Sequence, residues 1–470
     1  MKILLVLPAG EQVRVTPQQP RVPDRAMLRF SVLPLTIVAA LTPEQHEVKI
    51  LDENVEPLDP DADADVVGIT FMTALAPRAY EIARGFRAPG KKVIGGGFHA
   101  TLCPEEASDH FDAVVIGDAE GAWEEVLRDI EAGRLRKTYR SCHPGDRLRV
   151  PAARRDLLAR NERQYVTVNA IQAGRGCEHA CRYCSVTAFH EHAYRRRPLE
   201  EVLAELRGME RDLIFVDDNI MSCRAYAREL FRMMIPLKKR WVGQCSIEIA
   251  DDPELLRLAH ESGCCGLFIG IETVNRENLA AMDKRFNGHY EERLAKIRRQ
   301  GISVVAGMIV GLDRDDPGVF ERNLEFLQRT RIDGLQLNIL TPLPGTPLFE
   351  DMKRAGRMTD LDWSRYDFRH VVFRPQGMTA AQLQEGADWL YAQFYRLDRI
   401  LLRFVRTPAT CGWTPALLGL KLNLTYRYDN RREGIRGRNP ARVGAKPYSI
   451  LRSCWAAMSS GSQTGANGGA

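Results

Sequence analysis

Three of the eleven cysteines, Cys177, Cys181 and Cys184, fall within eight residues in the run CEHACRYC. The spacing Cys-x3-Cys-x2-Cys puts three thiolates on one loop, which Gly174 and Gly176 precede. Three thiolates can grip three irons of a 4Fe–4S cluster, whose complete ligation takes four cysteines. One iron is then left without a protein ligand and can chelate a substrate or cofactor. A zinc site is the bland alternative. It wants four ligands, often as two close pairs, and with His179 inside the loop and Cys223 distant no obvious fourth ligand presents itself. The remaining eight cysteines are scattered and read as core thiols rather than a disulfide framework.

The elements that must position this loop can be read as strand-like runs at 166–172, 212–216, 242–249, 266–271, 303–310 and 334–340. Helical stretches at 199–209, 224–234, 253–261, 291–300 and 317–329 separate them. Six β-α units predict a partial barrel, since a complete one has eight units in about 250 residues. Barrel chemistry sits on loops after the C-terminal strand ends, and the cysteine loop follows the first strand. Polar residues stand at the other strand ends: Asp217, Asp218 and Asn219 after the second, Ser246 and Glu248 after the third, Glu272 after the fourth. The fifth reads Gly-Met-Ile-Val-Gly-Leu around Ile309, and a Thr-Pro-Leu-Pro-Gly-Thr-Pro turn follows the sixth.

Ahead of this series, short Val- and Ile-rich runs at 2–7, 47–51, 66–70, 92–95 and 113–116 alternate with helical stretches. Continuous apolar runs fit strands buried on both faces, and the alternation argues a doubly wound parallel sheet. Such sheets bind ligands beyond the C-terminal strand ends, where Thr70 and the triple glycine Gly95, Gly96 and Gly97 stand. Missing Cβ atoms would let a bulky ligand lie on the backbone; a plain turn is the alternative. The Gly-x-Gly-x-x-Gly dinucleotide spacing is absent.

The organisation expected is therefore an α/β chain: a Rossmann-like domain over 1–138, a linker over 139–164, a partial barrel over 165–350, a helical region over 351–410 and a basic, flexible tail over 411–470. Thr379 is a plausible N-cap, and Leu383, Leu390, Phe394, Leu397, Leu401 and Phe404 recur at helical spacing. Packing on the barrel is the plain reading. Because Arg396, Arg399, Arg403 and Arg406 accompany them, a membrane-surface helix is the alternative. The run Arg195-Arg196-Arg197 reads as a solvated charge run, and His190 and His192 as exposed loop residues.

The loop CEHACRYC, with Tyr183 in the aromatic place before its last cysteine and a partial barrel around it, resembles the radical S-adenosylmethionine (SAM) superfamily. The resemblance implies a (β/α)6 barrel and a 4Fe–4S cluster whose open iron holds the amino and carboxylate groups of SAM. One electron, from an external reductant of the flavodoxin or ferredoxin type, cleaves SAM to methionine and a 5′-deoxyadenosyl radical. It also implies SAM contacts from the strand-end residues Asp217, Asp218, Asn219, Ser246, Glu248, Glu272 and Ile309. Relatives often carry Gly-Gly-Glu where this chain has Asp-Asp-Asn.

The first half resembles a cobalamin-binding domain, with Thr70-Phe71-Met72 in place of Ser-x-Leu and Gly95-Gly96-Gly97 in place of Gly-Gly. The Asp-x-His-x-x-Gly part is missing, so no histidine is offered to cobalt there. The resemblance gives His99 a loop or nucleotide-tail contact. The similar group includes hopanoid and bacteriochlorophyll C-methylases and an anaerobic oxidative cyclase. It implies methylation of an unactivated carbon of a small-molecule, lipid or tetrapyrrole substrate, or non-methylating cyclisation as the alternative.

Composition bounds the rest. The 470 residues carry 66 Lys and Arg against 61 Asp and Glu, with 44% hydrophobic residues, an ordinary globular profile. Nucleic-acid binding is not favoured. No run of about 18 apolar residues predicts a membrane span. MKILLVL has too short an apolar core for a signal peptide and reads as a first strand. The expectation is a cytoplasmic chain, with contact to a membrane surface left open.

Overall fold

A computed structural model describes all residues except 12, 17–31, 88–90, 142–145, 285–288 and 433–470. The first sheet has strands β1 (Lys2–Leu7), β2 (Glu47–Asp52), β3 (Val66–Thr70), β4 (Lys92–Gly96), β5 (Ala113–Ile116) and β6 (Thr138–Arg140). All pair in parallel, in the order β2-β1-β3-β4-β5-β6. Helices α1 (Leu33–Leu41), α2 (Ala76–Phe86), α3 (Phe98–Leu102), α4 (Pro104–His110) and α5 (Ala122–Glu131) cover it, leaving one core on each face. Strands β1, β3, β4 and β5 make continuous apolar runs because both their faces are buried, whereas the edge strand β2 alternates.

Strand β6 straddles the boundary expected between the first domain and the linker, at residues 138 and 139. It was illegible because only Tyr139 is buried, between two exposed neighbours, so it makes no apolar run. Tyr139 earns its place by donating its hydroxyl to Asp129 at 2.9 Å.

The second sheet is built from β7 (Ala170–Ile171), β10 (Asp212–Phe215), β11 (Arg240–Cys245), β12 (Cys264–Glu272), β13 (Ser303–Val310) and β14 (Gly334–Ile339), in the order β14-β13-β12-β11-β10-β7. It is parallel throughout, and β7 and β14 do not pair, so the barrel is an open arc of six strands. A short antiparallel pair, β8 (Gly174–Arg175) with β9 (Arg195–Arg196), braces the two ends of the cysteine loop. Outside the sheet lie α6 (Ser185–Phe189), α7 (Leu199–Gly208), α8 (Arg224–Met234), α9 (Pro253–Glu261), α10 (Arg276–Ala281), α11 (Tyr290–Arg299) and α12 (Val319–Arg329). The strand expected over 166–172 shrinks to two paired residues, Ala170–Ile171. The one expected over 242–249 ends at Cys245 and turns into a 3-10 helix, Ile247–Asp251.

After α13 (Pro347–Arg354), the helix α14 (Ala380–Phe394) begins with the expected cap. Thr379 and Gln382 form a reciprocal capping box, and Leu383, Leu390 and Phe394 face the barrel core. Three further helices follow: α15 (Leu397–Arg406), α16 (Pro408–Cys411) and α17 (Trp413–Arg432). Helix α17 corrects the reading of 411–470 as basic tail up to residue 432; the remainder of that tail lies outside the described residues. The helix was missed because its buried positions are Pro415, Ala416, Asn423 and Thr425 while most of its leucines point outward, the reverse of the usual pattern.

The C-terminal edge of the first sheet is applied to the C-terminal face of the barrel. Phe98 after β4 and Phe189 after the cysteine loop bring their rings to 4.5 Å. Gly345 has φ +76, and a Cβ there would meet Leu102 at 2.9 Å. Tyr165 donates its hydroxyl to Asp52 at 3.1 Å.

Candidate active site

The cysteine loop is held from three sides. Gly176 has φ +84, and a Cβ there would strike the Ala193 carbonyl at 2.0 Å, so only glycine fits. Asp217 accepts from the backbone N–H groups of Ala173 (3.0 Å) and Gly174 (2.6 Å), and Asp218 from Gly176 (2.9 Å). Asn219 turns its amide to the Cys177 Sγ at 3.8 Å and to the Ser246 Oγ at 3.4 Å. Asp-Asp-Asn therefore divides its work. Asp217 is fully buried, with its carboxylate committed to the loop backbone, which corrects the expectation that it contacts SAM. Asn219 reaches the thiol side.

Burial pushes the Asp217 carboxyl up to about 7, against the two N–H bonds that favour its charge. The folded chain thus keeps a proton that the unfolded chain, with an ordinary value of 3.8, releases. Its contribution is full below about pH 4 and is lost as the pH rises towards 7. Asp217→Ala is expected to flatten that limb. It would cost roughly 2–4 kcal/mol in urea unfolding, because two buried donors lose their acceptor.

The three cysteines line a cavity of about 320 Å³. Side chains alternating inward along the strands complete it: Phe268 and Glu272 on β12, Ile309 on β13, Gln336 and Asn338 on β14, with Tyr183 from the loop. Glu272 adopts φ +63 and accepts from the Lys284 Nζ at 3.0 Å. Burial alone would lower Lys284, but Glu272 and the Cys181 thiol together hold it above its ordinary value. Burial also pushes the Cys181 thiol up to about 11.

The donor set fits a multinuclear cluster better than a single ion. A tetrahedral zinc, with Zn–S near 2.3 Å, draws its thiolates to about 3.8 Å. Among the described residues the one set of three His, Cys, Asp or Glu ligand atoms within 4.8 Å is His99, Cys103 and Glu106. Cys177, Cys181 and Cys184 share a cavity without closing on one point.

That other trio is a polar knot between the two domains. Glu106 accepts from the Tyr80 hydroxyl at 2.9 Å and from the Trp363 indole N–H at 3.0 Å. Burial, with Glu106 beside it, pushes Cys103 up to about 12. His99 is completely buried here, 3.3 Å from the Thr73 Oγ1 and edge-on to Trp363, and burial lowers its pKa. Its ring faces the knot and, through Thr73, the loop after β3.

The triple glycine resolves into three different reasons. A Cβ on Gly95 would meet the Phe111 ring at 2.6 Å, so this glycine serves the core. Gly97 has φ +95, and a Cβ would come 2.7 Å from the Thr70 Oγ1. Gly96 has only ordinary contacts near 3.9 Å. It alone is left for a ligand lying on the sheet edge, with half-buried Thr70 as its neighbour.

Glu248 does not line the cluster cavity; it lines an adjoining polar recess with Arg224, Asp251 and Arg293. The arginine run is only partly solvated: Arg195 and Arg196 are half-buried and Arg197 is buried. Arg197 is buried against Glu205 at 2.7 Å, Arg196 pairs with Asp146, and His190 is buried with its Nε2 4.0 Å from Asp218. Five residues escaped the sequence reading: Lys284, Arg175, Phe268, Gln336 and Asn338. Lys284 stands twelve positions after the acid it pairs with. Arg175 points its guanidinium at Asp118 and Glu120 of the first domain, each at 2.9 Å. Gln336 and Asn338 were findable as polar residues at alternate positions of an otherwise apolar strand.

Comparison with known proteins agrees with this geometry. The B12 binding domain family matches residues 27–127 and the Radical SAM superfamily residues 171–327. The bacteriochlorophyllide d C-12(1)-methyltransferase of Chlorobaculum tepidum is 32% identical over 394 residues, spanning 81% of this chain and 86% of that protein. The hopanoid C-2 methylase of Rhodopseudomonas palustris is 28% identical, over 70% of this chain and 65% of that one. In fold, the chain is similar to the radical SAM methyltransferase TsrM of Kitasatospora setae, solved with cobalamin and a [4Fe-4S] cluster. The TM-score is 0.65 at 15% identity, over 92% of this chain and 99% of that one. The chain belongs to the radical SAM family that carries an N-terminal B12-binding domain, and it is an enzyme that uses a 4Fe–4S cluster, SAM and cobalamin.

Proposed function

We propose that the enzyme methylates an unactivated carbon of a small-molecule substrate, of the lipid or tetrapyrrole kind that its methylase relatives are named for. The observation that carries this reading is the apposition of the glycine-bearing edge of the first sheet to the mouth of the three-cysteine cavity. The cluster and SAM supply a hydrogen-abstracting radical, and cobalamin a carrier for the methyl group. The chain's own residues do the positioning. Cys177, Cys181 and Cys184 hold the metal centre. Glu272 and Lys284 offer paired charges to the ammonium and carboxylate of SAM. Phe268 and Ile309 give an apolar bed for its adenine, and Asn219 and Ser246 polar contacts at the rim. Gly96 and Thr70 form the ledge on which cobalamin lies. The electron comes from an external one-electron reductant of the flavodoxin or ferredoxin type.

The test is anaerobic: reconstituted protein with cobalamin, SAM, a one-electron reductant and a chlorin-type tetrapyrrole. We expect 5′-deoxyadenosine and S-adenosylhomocysteine in comparable amounts, with a methylated product. 5′-Deoxyadenosine without S-adenosylhomocysteine would replace methyl transfer by an oxidative reaction such as cyclisation. Among the described residues no helix is long and apolar enough to cross a membrane.

A further inference from the structure

The outer faces of α15 and α17 are apolar, and nothing among the described residues covers them. Leu401, Leu402 and Val405 stand on α15, and Trp413, Leu417 and Leu418 on α17; Val405 is 72% and Trp413 66% exposed. The rings of Phe404 and Trp413 meet edge-on at 6.3 Å and join the two stretches. The inner side is firmly attached to the barrel: Thr407 donates to Asp333 at 3.1 Å, and Asn423 to the Asp333 carbonyl at 2.8 Å. Single exposed leucines are ordinary, whereas successive turns of them mark an interaction surface. Helix α17 makes the point sharply, because it buries Asn423 and Thr425 and exposes leucines.

Charge says what covers this surface. Arg406 lies one turn from Leu402 and Lys421 one turn from Leu417; both are exposed and make no ion pair with any described residue. Asp398, the exposed acid of α15, is paired with Arg396. Residues 425–454 of the sequence add eight Lys or Arg against two acids. A second copy of this chain, packed about a two-fold axis, would set these cations against their own images. An anionic lipid surface neutralises them while apolar side chains enter the acyl boundary. We propose that α15 and α17 form a peripheral docking surface for an anionic bilayer. This inference stands apart from the proposed reaction, since these helices contribute nothing to the cluster cavity.

The experiment is co-sedimentation of the full-length holoenzyme with phosphatidylcholine vesicles, with and without phosphatidylglycerol. Binding is expected on the anionic vesicles and is expected to weaken with salt. Val405→Ser with Trp413→Ser should lower partitioning about tenfold or more, at unchanged elution volume and thermal midpoint. Should that pair disturb the fold, Arg406→Glu with Lys421→Glu carries the test, with the same loss expected. Undiminished binding of these variants would assign the attraction to the basic tail alone and overturn the proposal. So would absence of binding to both vesicles, or a dimer in solution that the substitutions dissociate, which would give the face to a second copy.

Discussion

Cys181→Ala is expected to abolish SAM cleavage, with 5′-deoxyadenosine falling below detection, while the thermal midpoint of the metal-free protein stays within a few degrees of the parent. The thiol is buried and favours its proton, pushed up to about 11. Metal binding must displace that proton, and the thiolate–metal bonds offset that cost. Lys284 faces the same thiol and favours its charged form. With two thiolates left, a second iron loses its protein ligand. The unique open position that a chelating cofactor needs then disappears, and iron and acid-labile sulfide should fall together. Cys264→Ala is the control. That thiol is also buried, and burial raises its pKa, but it stands at the start of β12, away from the three-cysteine cavity. Its loss should cost roughly 1 kcal/mol of stability and leave iron, sulfide and SAM cleavage intact. Full iron and sulfide in Cys181→Ala would remove this residue from the metal centre.

The cysteine loop was legible because its ligands are neighbours in sequence, and because a loop after the first strand of a β-α series already has its place at the C-terminal face. The sheets were legible for a related reason: strands buried on both faces make unbroken apolar runs. What stayed hidden depends on partners distant in the chain. Nothing local tells that Asp217 will be spent on the loop backbone while Asn219, two residues on, turns to a thiol. The triple glycine looked like one ledge, yet Gly95 exists for Phe111, which the sequence places sixteen residues away. Arg197 looked like surface charge because Glu205, its partner, comes from the helix that follows. Helix α17 hid behind an inverted pattern, since Asn423, hydrogen-bonded to the barrel, and Thr425, bonded back to Lys421 of its own helix, occupy positions where leucines were sought.

Arg175→Met is expected to uncouple the enzyme. Arg175 is nine-tenths buried and bridges Asp118 and Glu120 at 2.9 Å, and its chain neighbours Gly176 and Cys177 begin the cluster loop. One guanidinium therefore ties the loop after β5 of the cobalamin-binding domain to the metal centre. A methionine fills similar volume but leaves two buried carboxylates facing each other without a cation. Removing one partner of such a set costs roughly 3–5 kcal/mol, so the thermal midpoint should drop clearly. A displacement of about 1 Å between reacting groups can cost on the order of 10²-fold in rate. The ratio of 5′-deoxyadenosine to methylated product should accordingly rise, because SAM is cleaved within the barrel while methyl transfer spans both domains. A purely structural role would lower both products together and leave their ratio unchanged. Arg175→Lys supplies a point charge without the fork and should recover part of the stability and less of the coupling. Adding Asp118→Asn and Glu120→Gln to Arg175→Met removes the orphaned charges. Stability should then return while the product ratio stays high, because neutral side chains relieve repulsion without rebuilding the tie that sets the distance between the two cofactors.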